Sequence, residues 1–158
     1  MSSDPSPAGP GHSALRKGRV SLPGHVYHVT TTTHQRLRLF EDFWAARAVI
    51  RTLNSARLLG GTQLITWVLM PDHLHVLLQL GQEDSLSRYV ERTKTATARS
   101  FNRLRGCPEP VWQRSYHDHL LRKEKDLKTV ARYVIMNPLR AGLVRRVSEY
   151  PHWDAMWI

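Results

Sequence analysis

Apolar and polar residues alternate through residues 24–33, with Val26, His28 and Thr30 on one side and Tyr27, Val29 and Thr31 on the other. A period of two in a run rich in β-branched residues predicts a strand. Over 41–59 the period lengthens. Phe43, Ala46, Val49, Ile50, Leu53 and Ala56 recur at helical spacing behind Glu41 or Asp42 and ahead of Gly60-Gly61, which reads as a capped helix. Two apolar runs, 63–69 and 74–80, read as strands joined by a tight turn at Pro71-Asp72. A second helix, capped by Asp84 or Ser85 and running to about 102, has Leu86, Val90, Thr93, Thr97 and Phe101 on its apolar side. A strand over 115–122 and a helix over 124–136 complete the series. Pro138 stops that last helix, because a proline pushes the residue before it out of the helical region. The order predicts an α+β, ferredoxin-like βαββαβ fold: a single antiparallel sheet with helices on one face, plus an added C-terminal helix.

With 158 residues the chain is most simply one domain over 16–158, preceded by a Ser/Pro/Gly-rich tail, 1–15, expected to be disordered. Charge changes the picture more than composition does. The 23 Lys+Arg outnumber 13 Asp+Glu, for a net charge of +10, which points to a polyanionic partner, most often nucleic acid. Arg16, Lys17 and Arg19 read either as a basic arm that orders on a phosphate backbone or as a solvated linker. Arg88, Arg92, Arg99 and Arg103 share the helix face opposite its apolar side, and no acid follows the first three at i+4. Such a stripe suits a nucleic-acid backbone or a solvated outer face. Cys107 is the lone cysteine, so neither a disulfide framework nor a thiolate zinc cluster is expected. The longest apolar run is too short to cross a bilayer, and a soluble, cytoplasmic protein is the expectation.

The segment Met70-Pro71-Asp72-His73-Leu74-His75-Val76-Leu77 carries the first candidate chemistry. On a strand His73 and His75 project to the same side while Leu74 points into the core. Two neutral imidazoles form half of a divalent-metal site; the alternative is a pair of satisfied polar residues at a strand start. The chain has neither His-x-Glu with Pro-Cys-x-x-Cys nor His-Glu-x-x-His, so zinc deaminase and zincin chemistry are excluded. Two histidines and one oxygen ligand would suit Mg2+ or Mn2+ that also binds a phosphate oxygen. The second constellation is Tyr133 with Asn137, four apart on one helix face and followed by Pro138. A tyrosine hydroxyl can attack phosphorus, and an Asn carbonyl can ligate a metal. Equally, Tyr133 can be a core aromatic and Asn137 a helix cap. Tyr116, in Trp112-Gln113-Arg114-Ser115-Tyr116-His117-Asp118-His119, competes as nucleophile, and composition does not choose between them. Tyr27, Trp67, Trp112 and Trp153 read as core or as base-stacking platforms.

Together these segments resemble the single-tyrosine HUH transposases of insertion-sequence type, and most closely the REP-associated tyrosine transposases. The matching pieces are Tyr27-His28-Val29-Thr30, Leu39-Phe40, Trp67 through His75, Trp112-Gln113-Arg114 through His119 with Arg122, and Tyr133-Val-Ile-Met-Asn-Pro-Leu-Arg-Ala-Gly-Leu-Val. The resemblance implies a divalent metal on His73 and His75, Tyr133 rather than Tyr116 as the nucleophile, and Asn137 where related enzymes place a Gln as third ligand. It implies single-stranded DNA beside hairpin repeats as substrate, lying along the sheet and the basic helix. It further implies nicking and rejoining through a 5′-phosphotyrosine without ATP. Arg16, Lys17, Arg19, Arg88, Arg92, Arg99, Arg114, His119 and Arg122 are the expected nucleic-acid contacts. The chain is expected to act at the nucleoid as a monomer or homodimer. A non-catalytic, domesticated hairpin-binding protein is the alternative.

Overall fold

The computed structural model describes residues 21–156. The tail 1–15 and the trio Arg16, Lys17 and Arg19 lie outside the described residues. The elements are β1 (Val26–Thr32), α1 (Phe43–Leu53), α2 (Ala56–Leu59), β2 (Gln63–Met70), β3 (His73–Gln79), α3 (Leu86–Arg105), β4 (His117–Leu121), α4 (Leu127–Ile135), α5 (Asn137–Arg140) and β5 (Trp153–Ala155). The strands form one sheet in the order β4-β1-β3-β2-β5, and every neighbouring pair is antiparallel. The expected α+β fold with its single antiparallel sheet is observed. The three-residue β5, added on the β2 edge, was not foreseen from the pattern.

Strand alternation sorts the sheet into two faces. Tyr27, Val29, Trp67, Leu69, Leu74, Val76 and Leu78 are buried against α1 and α3. On the other face Leu77 and Ile65 pack on Ala131, and Val68 and Met70 on Val134, all under α4. Helices therefore cover both faces, and the added C-terminal helix occupies the one that α1 and α3 leave open.

Two boundaries differ from the periodicity for local reasons. The stretch expected as one helix over 41–59 is two, because the Asn54 Nδ2 donates back to the Ile50 carbonyl (2.9 Å) and Ser55 turns extended. Short polar side chains compete with the helical backbone in this way. Further on, α4 ends at Ile135 with Met136 as its cap, and Pro138 sits in the first turn of α5. A proline costs nothing there, since first-turn N–H groups have no helical partner.

Candidate active site

The site starts at the β2–β3 turn. Thr33 donates to the Asp72 carbonyl from both its backbone N (2.9 Å) and its Oγ1 (3.1 Å), and Phe40 N donates to the Pro71 carbonyl (3.0 Å). These bonds pin the turn to the segment that follows β1. From it β3 runs His73, Leu74, His75, with Leu74 fully buried on the α1–α3 side and the two histidines half-buried on the α4 side. His73 lies opposite Thr32 and Met70; His75 lies opposite Thr30 and Val68. The two rings stand 4.9 Å apart and nearly perpendicular, at 84°.

Both histidines are tied down through the same nitrogen. His73 Nδ1 is 2.6 Å from Asp72 Oδ1. A carboxylate only accepts, so His73 carries its proton on Nδ1 and its lone pair on Nε2. His75 Nδ1 sits 3.0 Å from Thr30 Oγ1 and 3.1 Å from His28 Nε2. A proton on that Nδ1 satisfies these contacts and again leaves Nε2 as the donor. His28, forty-seven residues away in sequence, stacks on His75 at 5.2 Å and 28°. Burial above all, then the charges of His73, His28 and Arg140, pushes His75 down to about 3. Burial, then His119, also lowers His28. His75 is therefore neutral at pH 7, as a metal ligand must be.

Among the described residues no group of three His, Cys, Asp or Glu is arranged to hold a metal ion. The donor set is two imidazole nitrogens, with the Asn137 amide oxygen as a candidate third. An open set of this kind fits a divalent ion that leaves positions for water or phosphate oxygen. Asn137 also has a structural task, because its Nδ2 donates to the Val134 carbonyl (2.8 Å) near the end of α4.

Tyr133 is on α4 beside Val134, which packs on Val68 and Met70, the cross-strand neighbours of His75 and His73. Its side chain is 57% exposed, so it is not a core aromatic. The Arg140 guanidinium stacks 3.7 Å above the Tyr133 ring, and its charge reaches His75. Tyr116 sits elsewhere. It packs against the α1–α3 core, with Lys94 Nζ 5.7 Å from its ring centre and Ser87 Oγ 3.5 Å from its hydroxyl. The two tyrosines thus lie on opposite sides of the sheet, and Tyr133 shares the histidine face.

The basic residues divide as well. His119 lies across β1 from the histidine pair, opposite His28, while Arg122 just past β4 and Arg114 in the loop before it are exposed. Arg88, Arg92 and Arg99 line a groove of about 680 Å³ between α2 and α3, together with Arg57 and Arg103. That groove belongs to the layer behind the sheet. The histidine pair and the basic helix, both on the expected path of the DNA, therefore lie on opposite sides of the sheet. Arg92, moreover, is paired with Asp84 (2.6 Å) and donates to the Leu58 carbonyl (3.0 Å). That acid lies eight residues earlier, where an i+4 search does not look. The four aromatics weighed as stacking platforms are structural. Tyr27 and Trp67 are buried, Trp112 Nε1 donates to Thr97 Oγ1 (3.0 Å), and Trp153 Nε1 donates to the Val147 carbonyl (3.1 Å).

Four groups of this site were not singled out in the sequence: Asp72, Thr30, His28 and Arg140. Asp72 is adjacent to His73, so the sequence carried a signal for it; Arg140 belongs to α5 and reaches Tyr133 across the break after α4. Thr30 and His28 enter only through strand register.

A family model described as Transposase IS200 like matches residues 21–137. An Escherichia coli K12 protein named REP-associated tyrosine transposase is 31% identical over 134 residues, covering 84% of this chain and 70% of the relative. A Haemophilus influenzae protein, provisionally given the same name, is 32% identical over 94 residues, or 53% of each chain, so the match spans about half of that relative's length. A solved REP-associated tyrosine transposase bound to a REP hairpin superposes with a TM-score of 0.67 at 23% identity, covering 85% of this chain and 79% of that one. A crystal structure from Deinococcus radiodurans R1, described as a transposase, gives 0.51 at 22% identity, covering 74% and 93%. At these identities the two solved structures speak for the fold alone.

Proposed function

The chain belongs to the IS200-like transposase family, and from that premise we propose that it nicks and rejoins single-stranded DNA beside hairpin repeats, with Tyr133 as nucleophile. One observation carries the reading: an exposed tyrosine under an arginine and a histidine pair with both Nδ1 atoms engaged share one face of the sheet. The hairpin partner is proposed from the family and from the REP-associated name of the 31% identical relative, by analogy with the REP hairpin held by a solved structure of like fold.

His73, His75 and the Asn137 amide oxygen would hold Mg2+ or Mn2+. When bound, such an ion supplies charge neutralisation and orientation at the scissile phosphate. The protein's own groups do the rest. Asp72 and Thr30 fix the two imidazoles. Arg140 contributes a positive charge beside both the phenol and the phosphate. The Tyr133 oxygen attacks phosphorus as the bond to the 3′ oxygen breaks. The phenolic proton leaves to solvent and the departing 3′ oxygen takes one up, giving a 5′-phosphotyrosine and a free 3′-hydroxyl. Attack by a 3′-hydroxyl reverses the step. One phosphodiester is exchanged for another, so no nucleotide hydrolysis is required. Arg114, His119 and Arg122, on the β4 side, are assigned to backbone phosphates of the strand at the site. Arg16, Lys17, Arg19, Arg88, Arg92 and Arg99 are assigned to DNA outside it. No helix among the described residues is long and apolar enough to cross a membrane; a place at the nucleoid follows from the substrate.

The test is cleavage of a 5′-labelled oligonucleotide with a hairpin and single-stranded flanks, in Mg2+, Mn2+ or EDTA. Metal-dependent appearance of a shortened labelled fragment is expected. It should be lost in His73→Ala with hairpin binding retained. Tight binding with no cleavage in either metal would leave a non-catalytic hairpin-binding protein.

A further inference from the structure

One large aromatic side chain has no role in the site or the core. Trp44, in the first turn of α1, is 71% exposed, and its neighbour Phe43 is 46% exposed. Burying a tryptophan is normally among the largest single gains of folding, so a tryptophan left in water calls for a partner. Arg47 and Arg51 follow it at i+3 and i+7, on the same side of the helix. Neither has an ion pair with a carboxylate among the described residues. Both line a cavity of about 380 Å³ against the β2–β5 edge, which Asn54, Trp67 and Asp154 help to wall. Arg47 is held from behind by its bond to the Pro151 carbonyl (3.2 Å), and Asp154 Oδ1 by Ala155 N (2.8 Å).

This row is connected to the active-site face. Trp44 meets Phe43 edge-on (5.2 Å), Phe43 meets His152 (5.4 Å), and His152 meets Tyr150 (5.6 Å). Tyr150 packs with Val68, Met70 and Val134 under α4, and its hydroxyl donates to the Leu69 carbonyl (2.6 Å). The ring series thus rounds the β2 edge at the same end of the sheet as the β2–β3 turn, between the histidine face and α1.

We infer that Trp44, Arg47 and Arg51 form a second contact for the single strand: Trp44 stacks on an unpaired base that has rounded the β2 edge, and Arg51, backed by Arg47, takes an adjoining phosphate. The cavity beside them is polar, with amide and carboxylate groups that can meet a base edge. Charge selects the occupant. A second copy of this chain would bring a further +10 to a patch that is already basic, whereas a polyanion with exposed π-faces matches both the guanidiniums and the indole. The inference rests on single-stranded DNA being the substrate.

The test uses the full chain and a fluorescein-labelled oligothymidine with no hairpin, read by anisotropy from low to moderate salt. Trp44→Ala should weaken binding about tenfold and Trp44→Phe should recover most of it. Arg51→Ala should reduce the slope of log K against log salt by about 0.7. Binding of a blunt hairpin without flanks, and formation of a Tyr133 adduct at saturating DNA, should be unchanged in all three variants. Equal affinity and slope in every variant, with wild type binding the strand, overturns the contact but leaves the proposed function standing. A change from dimer to monomer in Trp44→Ala overturns it in favour of self-association. No binding of the strand by wild type overturns both.

Discussion

The same five strands build both faces of the sheet, yet the faces differ in kind. Toward α1 and α3, nineteen buried residues among those described join in one cluster. Toward α4, six of the described residues fall into two smaller clusters, and the same face carries His28, Thr30, His73 and His75. The division runs through single strands. In β3 Leu74 is fully buried, while the residues on either side of it are half-exposed imidazoles. Alternation with a period of two lets one face supply most of the apolar burial. The other can then hold a cluster of histidines without the domain losing its core.

Variants can break that division from either side. His75→Ala is expected to have the largest effect, reducing cleavage at least a thousandfold, about 4 kcal/mol of barrier, while the melting temperature moves by only a few degrees. Leu74→Ala, one residue away, should do the reverse. It opens a cavity in the sealed face and costs about 3 kcal/mol, seen as a fall in melting temperature of roughly 10 °C; cleavage by the folded fraction should stay within a few-fold. Third is a pH effect at the seam between the faces. Burial first, then Arg47, lowers His152 to about 4 from the ordinary 6.5, and its Nδ1 is buried without a hydrogen-bond partner among the described residues. Above pH 6.5 both folded and unfolded chains hold this histidine neutral, and its contribution is fully present. Between 6.5 and 4 the unfolded chain takes up a proton that the folded chain refuses, so stability falls as pH falls. Denaturant titrations across this range should show wild type losing stability as pH falls and His152→Phe lacking that contribution. The smallest effect is Thr30→Val, which removes a partner of His75 Nδ1. It should weaken Mn2+ affinity about tenfold by calorimetry with little change in stability.

What was legible in the sequence follows from what is local. Alternation exposed β1, continuous apolar runs exposed β2 and β3, helical spacing exposed the apolar sides of α1 and α3, and His73 and His75 share a face because two is the period of a strand. What was not legible depends on register and on which layer covers which face. His28 meets His75 only because β1 pairs with β3. Asp84 reaches Arg92 from the turn before α3. Tyr116 and Tyr133 could not be told apart by composition, since their separation is set by α3 lying on one side of the sheet and α4 on the other. Likewise the arginine stripe of α3 was readable as a stripe, but not as one facing away from the histidines. Trp44 was not legible either, because helical periodicity points to buried positions and is silent about an aromatic left outside them.

The most direct measurement is a covalent-adduct assay on a denaturing protein gel, with labelled hairpin DNA and Mn2+ or Mg2+, comparing wild type, Tyr133→Phe and Tyr116→Phe. A metal-dependent shifted band that survives in Tyr116→Phe and vanishes in Tyr133→Phe is expected if the histidine face is the chemical one. A band that survives in Tyr133→Phe and is lost in Tyr116→Phe would contradict that assignment and move the chemistry to the other side of the sheet.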